Sequence, residues 1–360
     1  MQPTKGYLVL ETQKVFEGLH FGHRGYSTGE LVFNTGITGY QEILTDPSYC
    51  QQIITLTYPE IGNYGVNSKF NESSSVFATG LIVKSFNKNY SSYEAEASLE
   101  DLMLEHKIVG LSNIDTRSIT KYIRDNGAMR AVISDDSQSI EELQKIVLDS
   151  PSMEGLDLTA IVSRKNVNHI QHGKYKLAVL DFGIKKSIIE NLQKFDFDIT
   201  IFPANSTFEQ IIEINPCAYL LSNGPGDPAS NPDIINLVKK IISLNKPILG
   251  ICLGHQLMSI ALGAKTYKLK FGHRGSNQPV KNLINNTIQI TSHNHGFATD
   301  PDSFTEDMVI SHINLNDNSV EGFIHKTKPF ICVQFHPEAN PGPNDANTIF
   351  DDFYQLVAKQ

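Results

Sequence analysis

The pattern of apolar and polar positions differs between the two halves of the chain, and it is clearer in the second half. After residue 175, short apolar segments typical of strands are separated by segments with helical spacing. The predicted strands are 176–180, 197–202, 217–222 and 247–251, and the predicted helices include 208–214 and 232–244. Such alternation predicts an α/β domain with a largely parallel sheet covered by helices on both faces. Three later apolar segments, 309–313, 320–324 and 330–335, follow one another without helices, so part of this sheet is predicted to be antiparallel.

The first half is rich in predicted strands and in glycine-containing turns. Helices are predicted there at 92–105, 115–126 and 141–148, the second with Asp115 or Thr116 as N-cap and Gly127 as its stop signal. Between the halves, residues 164–175 are polar and basic without apolar periodicity. We therefore predict a strand-rich α/β domain at 1–163, a linker at 164–175, and a second domain at 176–360.

Composition excludes several classes of function. The 360 residues include 30 Lys and Arg against 39 Asp and Glu, a net charge of -9. An acidic chain without a basic cluster is a poor candidate for binding nucleic acid. No apolar run approaches the roughly 20 residues that cross a bilayer, and the first residues lack the pattern of a signal peptide. We therefore expect a cytoplasmic protein that does not bind membranes.

Of the four cysteines, Cys252 has a sequence context that indicates chemistry. It lies in P-I-L-G-I-C-L-G-H-Q-L (247–257), where an apolar strand runs into a helix. A nucleophile on a sharp strand-to-helix turn needs small residues two positions before and after it, and Gly250 and Gly254 provide them. The following helix N-terminus favours a thiolate. On this motif alone, an ordinary buried cysteine remains an equal alternative.

The second indication is His336-Pro337-Glu338, at the end of the apolar segment 330–335. If the backbone stays extended, the imidazole and the carboxylate project to the same side. A thiol needs a base, and the base needs a carboxylate to orient it and to stabilise its cation. Cys252, His336 and Glu338 are therefore a candidate catalytic triad.

Segments 222–228 (S-N-G-P-G-D-P), 250–257 and 334–338 together resemble the three signatures of class I, triad-type glutamine amidotransferases. In the first half, 34–42, 45–49, 55–59 and 61–65 resemble the N-terminal domain of carbamoyl phosphate synthetase small subunits. Segments 115–117 and 127–129 agree with that resemblance. Other amidotransferases of the class lack this domain, so the resemblance points to the small-subunit family.

The resemblance implies glutamine hydrolysis, with Cys252 as nucleophile, His336 as acid and base, and Glu338 orienting His336. It places the oxyanion on the backbone N–H groups of Gly226 and Leu253. The glutamine pocket that it implies comprises Ser48, Gly224, Gly226, Leu253, Gln256, Asn294, Gly296 and Phe297.

It also implies a large-subunit partner that makes carbamoyl phosphate, for arginine and pyrimidine synthesis. The chain has no G-x-x-x-x-G-K-[ST] loop, so we expect ATP and Mg²⁺ on that partner and no cofactor here. The first domain is our candidate for the docking surface.

Two other functions compete with this interpretation. The chain could serve a different synthetase, such as those for anthranilate, GMP or CTP, although the first-half motifs argue against this. It could also be a scaffold whose triad has decayed, which the intact triad disfavours. A metal site at 291–297 (T-S-H-N-H-G-F) is not predicted, because its two histidines lack further ligands in the sequence.

Overall fold

The computed structural model describes residues 4 to 360, which form two units divided between Met153 and Glu154. The predicted boundary lay later, at residue 163. The strands of the first unit are β1 (Lys5–Leu10), β2 (Val15–Gly22), β3 (Tyr26–Asn34), β4 (Gln52–Leu56), β5 (Glu60–Ile61), β6 (Gly80–Ile82), β7 (Ser85–Phe86), β8 (Val109–Ser112) and β9 (Met129–Asp135). Seven of them close into a barrel in the order β1-β2-β8-β6-β4-β3-β9. Its helices are α1 (Tyr40–Thr45), α2 (Leu99–Glu105), α3 (Thr116–Asn126) and α4 (Ile140–Asp149).

Local signals account for where the helices of the first unit begin and end. Asp115 caps α3 by accepting from the Ser118 amide, and Gly127 follows the last turn with a positive φ of 97°, as predicted. Helix α2 is shorter than predicted. A capping box between Ser98 and Asp101 starts it, whereas the preceding Ala97 forms a β-bridge with Val66.

The second unit alternates helices and strands before it becomes antiparallel. Its helices are α5 (Thr159–Val162), α6 (Lys186–Leu192), α7 (Phe208–Glu213), α8 (Pro232–Ser243), α9 (Leu253–Ala261) and α10 (Thr348–Ala358). Its strands are β10 (Asn168–Gln171), β11 (Tyr175–Asp181), β12 (Phe197–Pro203), β13 (Ala218–Leu221), β14 (Ile248–Ile251), β15 (Thr266–Asn282), β16 (Thr287–Thr299), β17 (Met308–Asn314), β18 (Val320–His325) and β19 (Phe330–Val333). The strands and helices predicted from 176 to 251 are all present, with ends shifted by a few residues.

These ten strands form one mixed sheet in the order β10-β12-β11-β13-β14-β19-β18-β17-β15-β16. Strands β12, β11, β13, β14 and β19 pair in parallel, and the others pair antiparallel. The predicted mixed α/β fold is therefore confirmed. Its antiparallel part is larger than the sequence indicated, because β15 and β16 form a long hairpin that the pattern did not reveal.

Each face of this sheet buries its own apolar cluster. On β11, Ala178 and Leu180 face the side covered by α8 and α9, whereas Leu177 and Val179 face α6 and α10. This period of two explains why the strand is apolar at every position, since both faces are covered. The carboxyl ends of the parallel strands carry the turns after β13 and β14, which position the site described next.

One strand falls outside the predicted pattern. Residues 168–171, within the predicted linker, form β10 and pair with β12 at the sheet edge. Their side chains are polar and partly exposed, so hydrophobic periodicity could not indicate this strand. In residues 4 to 360, no helix combines the length and apolar character that spanning a bilayer would require.

Candidate active site

Cys252 occupies a strained turn between β14 and α9. Its φ of 52° and ψ of -103° are unusual for a residue with a side chain, and its amide donates to the Val333 carbonyl over 2.9 Å. The small neighbours are required by close packing of the backbone. A Cβ on Gly254 would lie 2.1 Å from the Leu221 carbonyl oxygen, and one on Gly250 would lie 3.0 Å from Gly254. The turn therefore has the sharp strand-to-helix geometry and the small neighbours that the sequence predicted around Cys252.

The thiol of Cys252 is buried, and polar groups surround it. Its Sγ lies 3.7 Å from the carbonyl oxygen of Asn294 and 3.6 Å from Nε2 of Gln334. Gln256, one turn into α9, donates from Nε2 to the Phe297 carbonyl and to Oε1 of Gln334, over 2.8 and 2.9 Å. These bonds connect the helix that follows the thiol with β16 and with the chain leaving β19.

His336 and Glu338 contact each other, as predicted, although the backbone does not remain extended. Strand β19 ends at Val333, and the chain turns after His336, whose amide donates to the Ser292 carbonyl over 2.9 Å. The Nδ1 atom of His336 lies 2.7 Å from Oε1 of Glu338. Its Nε2 atom has no hydrogen-bond partner among the described residues, and the thiol of Cys252 is close enough to raise the pKa of the imidazole.

Lys185 is a further member of this cluster that the sequence did not indicate. Its buried Nζ lies 3.0 Å from Oε1 of Glu338 and 2.6 Å from the Ala339 carbonyl oxygen. It follows the turn after β11, far from Glu338 in sequence. No local pattern distinguishes such a lysine from an exposed one, so only the fold identifies it.

Each charged group of this cluster favours the ionised form of its neighbour, although the cluster is buried. Burial lowers the pKa of His336, but the Glu338 charge and the interaction with Cys252 outweigh it and raise that pKa to about 10. Burial raises the pKa of Glu338, but Lys185 and His336 outweigh it and lower that pKa to about 2. The imidazole can therefore hold a proton at neutral pH beside an ionised carboxylate.

This coupling predicts how stability depends on pH. The folded chain keeps a proton on His336 up to a pKa of about 10, whereas an unfolded histidine loses it near 6.5. Between these values the folded state binds more protons, so its free energy of unfolding falls as pH rises, by at most about 1.4 kcal/mol per pH unit. The variant His336→Asn lacks this contribution. Urea unfolding of both proteins from acidic to alkaline pH should show their stability difference shrinking across this window, and a constant difference would contradict the assignment.

The remaining pocket residues predicted in the second unit lie on turns and strands around the elbow. Gly224 packs so closely that a Cβ would lie 2.2 Å from the Phe182 carbonyl oxygen and 2.8 Å from Leu253 Cδ2. Gly226 has a positive φ of 96°, and Leu253 is the first residue of α9, where N–H groups lack helical acceptors. Asn294, Gly296 and Phe297 lie on β16, with the Asn294 carbonyl near the thiol.

Ser48 belongs to the first unit. It lies in a buried turn of 3₁₀ helix (Pro47–Tyr49), where its amide donates to Oδ1 of Asp46 over 2.9 Å. Its predicted part in the pocket stays a prediction.

Comparison with known proteins assigns both halves of the chain. The family model described as "Glutamine amidotransferase class-I" matches residues 178–356. The family model described as "Carbamoyl-phosphate synthase small chain, CPSase domain" matches residues 8–133. The two matches follow one another in the order that the sequence motifs indicated.

Curated relatives match over nearly their whole length. One from Clostridium acetobutylicum is 50% identical over 98% of this chain and 100% of its own. One from Chlorobaculum tepidum is 46% identical over 100% of this chain and 99% of its own, and one from Clostridium perfringens is 47% identical over 98% and 99%. All three are named carbamoyl phosphate synthase small chain.

Proposed function

Because the chain belongs to the family of carbamoyl phosphate synthase small chains, we propose that it hydrolyses glutamine to glutamate and ammonia and supplies the ammonia to a large subunit. The observation that carries this proposal is the buried cluster at the end of β14. A cysteine on a strained elbow there lies beside a histidine that is paired with a carboxylate.

The proposed reaction begins with the thiol. Sγ of Cys252 attacks the side-chain amide carbon of glutamine while His336 holds the thiol proton. His336 then returns this proton to the amide nitrogen, which leaves as ammonia, and a thioester remains on Cys252. Water, deprotonated by His336, attacks the thioester carbon and releases glutamate, which restores the thiol.

Two sets of groups assist these steps. Glu338 accepts from Nδ1 of His336, so Nε2 faces the thiol, and Lys185 keeps the Glu338 carboxylate ionised in its buried position. The backbone N–H groups of Gly226 and Leu253 are proposed to hold the oxyanion of each tetrahedral intermediate. Such donors are worth about 100-fold or more in rate. Tight packing at Gly224 and Gly254 supports this proposal, because it leaves the backbone little freedom.

We propose that the glutamine substrate is bound by the residues that match the family's pocket. Gln256 is already held in place by its two hydrogen bonds, which favours a role in fixing the shape of the pocket. The set is Ser48, Gly224, Gly226, Leu253, Gln256, Asn294, Gly296 and Phe297.

The remaining chemistry is assigned to the partner. Making carbamoyl phosphate consumes bicarbonate and ATP, and we propose that ATP and Mg²⁺ bind the large subunit while this chain needs no cofactor for glutamine hydrolysis. We further propose a cytoplasmic location and a role in arginine and pyrimidine synthesis. The first unit is proposed to carry the docking surface.

Glutamine hydrolysis by the purified chain, alone and mixed with the large subunit from the same organism, tests the function. With bicarbonate and ATP present, we expect a slow rate alone, a faster rate in the mixture, and carbamoyl phosphate as product. If the rate of glutamine hydrolysis did not change when the large subunit was added, the triad assignment would stand. The proposed partnership with this large subunit would then be wrong.

Two variants in the same mixture test the docking surface. Ile37 in the first unit is 71% exposed, and Ile288 in the second is 60% exposed, so aspartate at either position leaves the core intact. We expect Ile37→Asp to weaken association with the large subunit and Ile288→Asp to leave it unchanged. The opposite result would place docking on the second unit.

A further inference from the structure

Four side chains that the proposed reaction does not use converge in the interior of the second unit. They are His273 on β15, His293 and His295 on β16, and Glu321 on β18, and all are buried. One potential ligand atom from each lies within 4.8 Å of those from all the others. The sequence showed only the two histidines of β16. Pairing of β15 with β16, and the path through β17 to β18, supply the other two groups.

Hydrogen bonds determine which ring nitrogens of the β16 histidines carry lone pairs. Nδ1 of His295 lies 2.8 Å from the Phe297 carbonyl oxygen, which only accepts, so Nδ1 carries the hydrogen and Nε2 the lone pair. When the Thr291 hydroxyl donates to the Gln278 carbonyl, 3.0 Å away, it accepts from Nε2 of His293 at 2.7 Å. Nδ1 of His293 then carries a lone pair as well.

These two lone pairs face each other. Nδ1 of His293 and Nε2 of His295 are 3.2 Å apart, a separation at which two acceptors repel unless a proton or a cation lies between them. A cation between them would satisfy both nitrogens.

The other two side chains present unsatisfied ligand atoms to the same point. Nε2 of His273 lies 2.9 Å from the Asp317 carboxylate, and its Nδ1 has no hydrogen-bond partner among the described residues. A histidine held by a carboxylate through its outer nitrogen is the usual arrangement of a metal ligand. In Glu321, Oε1 accepts from Asn314, whereas Oε2 has no hydrogen bond in the described chain and lies 3.6 Å from Nδ1 of His293.

A second proton on His273 is the alternative way to compensate the negative charges of Asp317 and Glu321. This second proton, on Nδ1, would lie between that nitrogen and Oε1 of Glu321, which are 3.4 Å apart. That proton compensates the carboxylates, yet it leaves the facing lone pairs of His293 and His295 unsatisfied. A divalent ion would balance the charges of Asp317 and Glu321 and satisfy all four ligand atoms together.

We propose that Nδ1 of His273, Nδ1 of His293, Nε2 of His295 and Oε2 of Glu321 bind a divalent transition metal ion, with Zn²⁺ as the best match. Imidazole nitrogens and a carboxylate oxygen suit Zn²⁺, whose tetrahedral ligands lie about 3.3 Å apart. The separations of 3.2 and 3.6 Å around His293 agree with that geometry. Four protein ligands leave no open coordination position, so the ion is structural and holds β15, β16 and β18 together.

The metal ligands on β16 alternate with Asn294 and Gly296. Because side chains alternate across a strand, the ion would lie on the face opposite to those two residues and would hold their strand in place beside the thiol. The metal site itself does not depend on the proposed function, whereas this effect on the strand beside Cys252 rests on it.

Metal analysis of the complex with the large subunit tests the site. The protein is purified without a histidine tag, and its metal is measured by mass spectrometry. The ion is then removed with a chelator, and binding of Zn²⁺ and of Co²⁺ is titrated. We expect one ion per copy of this chain, and an absorption band of tetrahedral Co²⁺ that Zn²⁺ abolishes. Apo protein should also unfold at a lower temperature than the Zn²⁺-loaded protein.

The variants His293→Gln and Glu321→Gln are expected to lose the ion and the Co²⁺ band. The matched control is His169→Gln, in an exposed group of His169, His172 and Asp198 that lies elsewhere in the second unit. The proposal is overturned if wild-type protein neither contains the ion nor binds Zn²⁺ or Co²⁺ saturably. It is also overturned if both variants retain the ion, or if His169→Gln removes it. None of these measurements depends on glutamine hydrolysis, so the result stands apart from the proposed reaction.

Discussion

Replacing Cys252 with serine is expected to abolish glutamine-dependent synthesis of carbamoyl phosphate by the complex, while synthesis from added ammonia continues. A serine hydroxyl is far less acidic than a thiol, and His336 beside Glu338 is arranged to pair with a thiolate. Loss of a nucleophile that acts together with its base typically costs at least about 1,000-fold in rate. Carbamoyl phosphate formation from glutamine and from ammonium chloride, measured side by side, separates the two activities.

A second cysteine provides the control. Cys217 lies just before β13, and its half-buried thiol hydrogen-bonds the Lys176 carbonyl rather than any group of the triad. Cys217→Ser should keep both activities. If Cys252→Ser retained glutamine-dependent synthesis at the wild-type rate, the nucleophile would have to be sought elsewhere in the chain.

A methyl group at Gly254 is also expected to reduce activity strongly, although it removes no reactive atom. The added Cβ would lie 2.1 Å from the Leu221 carbonyl oxygen, so the start of α9 must move away from β13. Overpacking against backbone of this kind costs about 3 kcal/mol of stability. A shift near 1 Å at Cys252 and at the Leu253 N–H would also reduce glutamine hydrolysis about 100-fold.

Gly155→Ala separates this effect from the general cost of replacing glycine. Gly155 has a positive φ of 80°, but a Cβ there would meet no atom within 4 Å. We expect Gly155→Ala to lose about 1 to 2 kcal/mol of stability from backbone strain alone, with glutamine hydrolysis retained. Thermal unfolding measures the loss of stability in both variants, and glutaminase assays measure the loss of activity. Equal losses of activity at Gly254 and Gly155 would show that close packing at the elbow is not what positions the thiol.

The elements that the sequence predicted well are those whose signals lie within a few residues. Helix α3 has its capping aspartate at one end and Gly127 at the other, and both ends are where the sequence placed them. The elbow at Cys252 was predictable for the same reason, since two glycines, a strand and a helix are all contained in one short segment. Strand β10 was missed because its polar side chains contribute no periodicity, and only its pairing with β12 defines it.

The α/β class, the family and the candidate triad could be predicted without a structure, because each depends on residue types at fixed local spacings. Tertiary structure alone brought Lys185 to Glu338, and brought His273 and Glu321 to the two histidines of β16. These contacts join residues that are distant in the chain, and they depend on which strands pair and in which register. A single sequence carries no local signal for such pairing, whereas the packed sheet decides it through the burial of both faces.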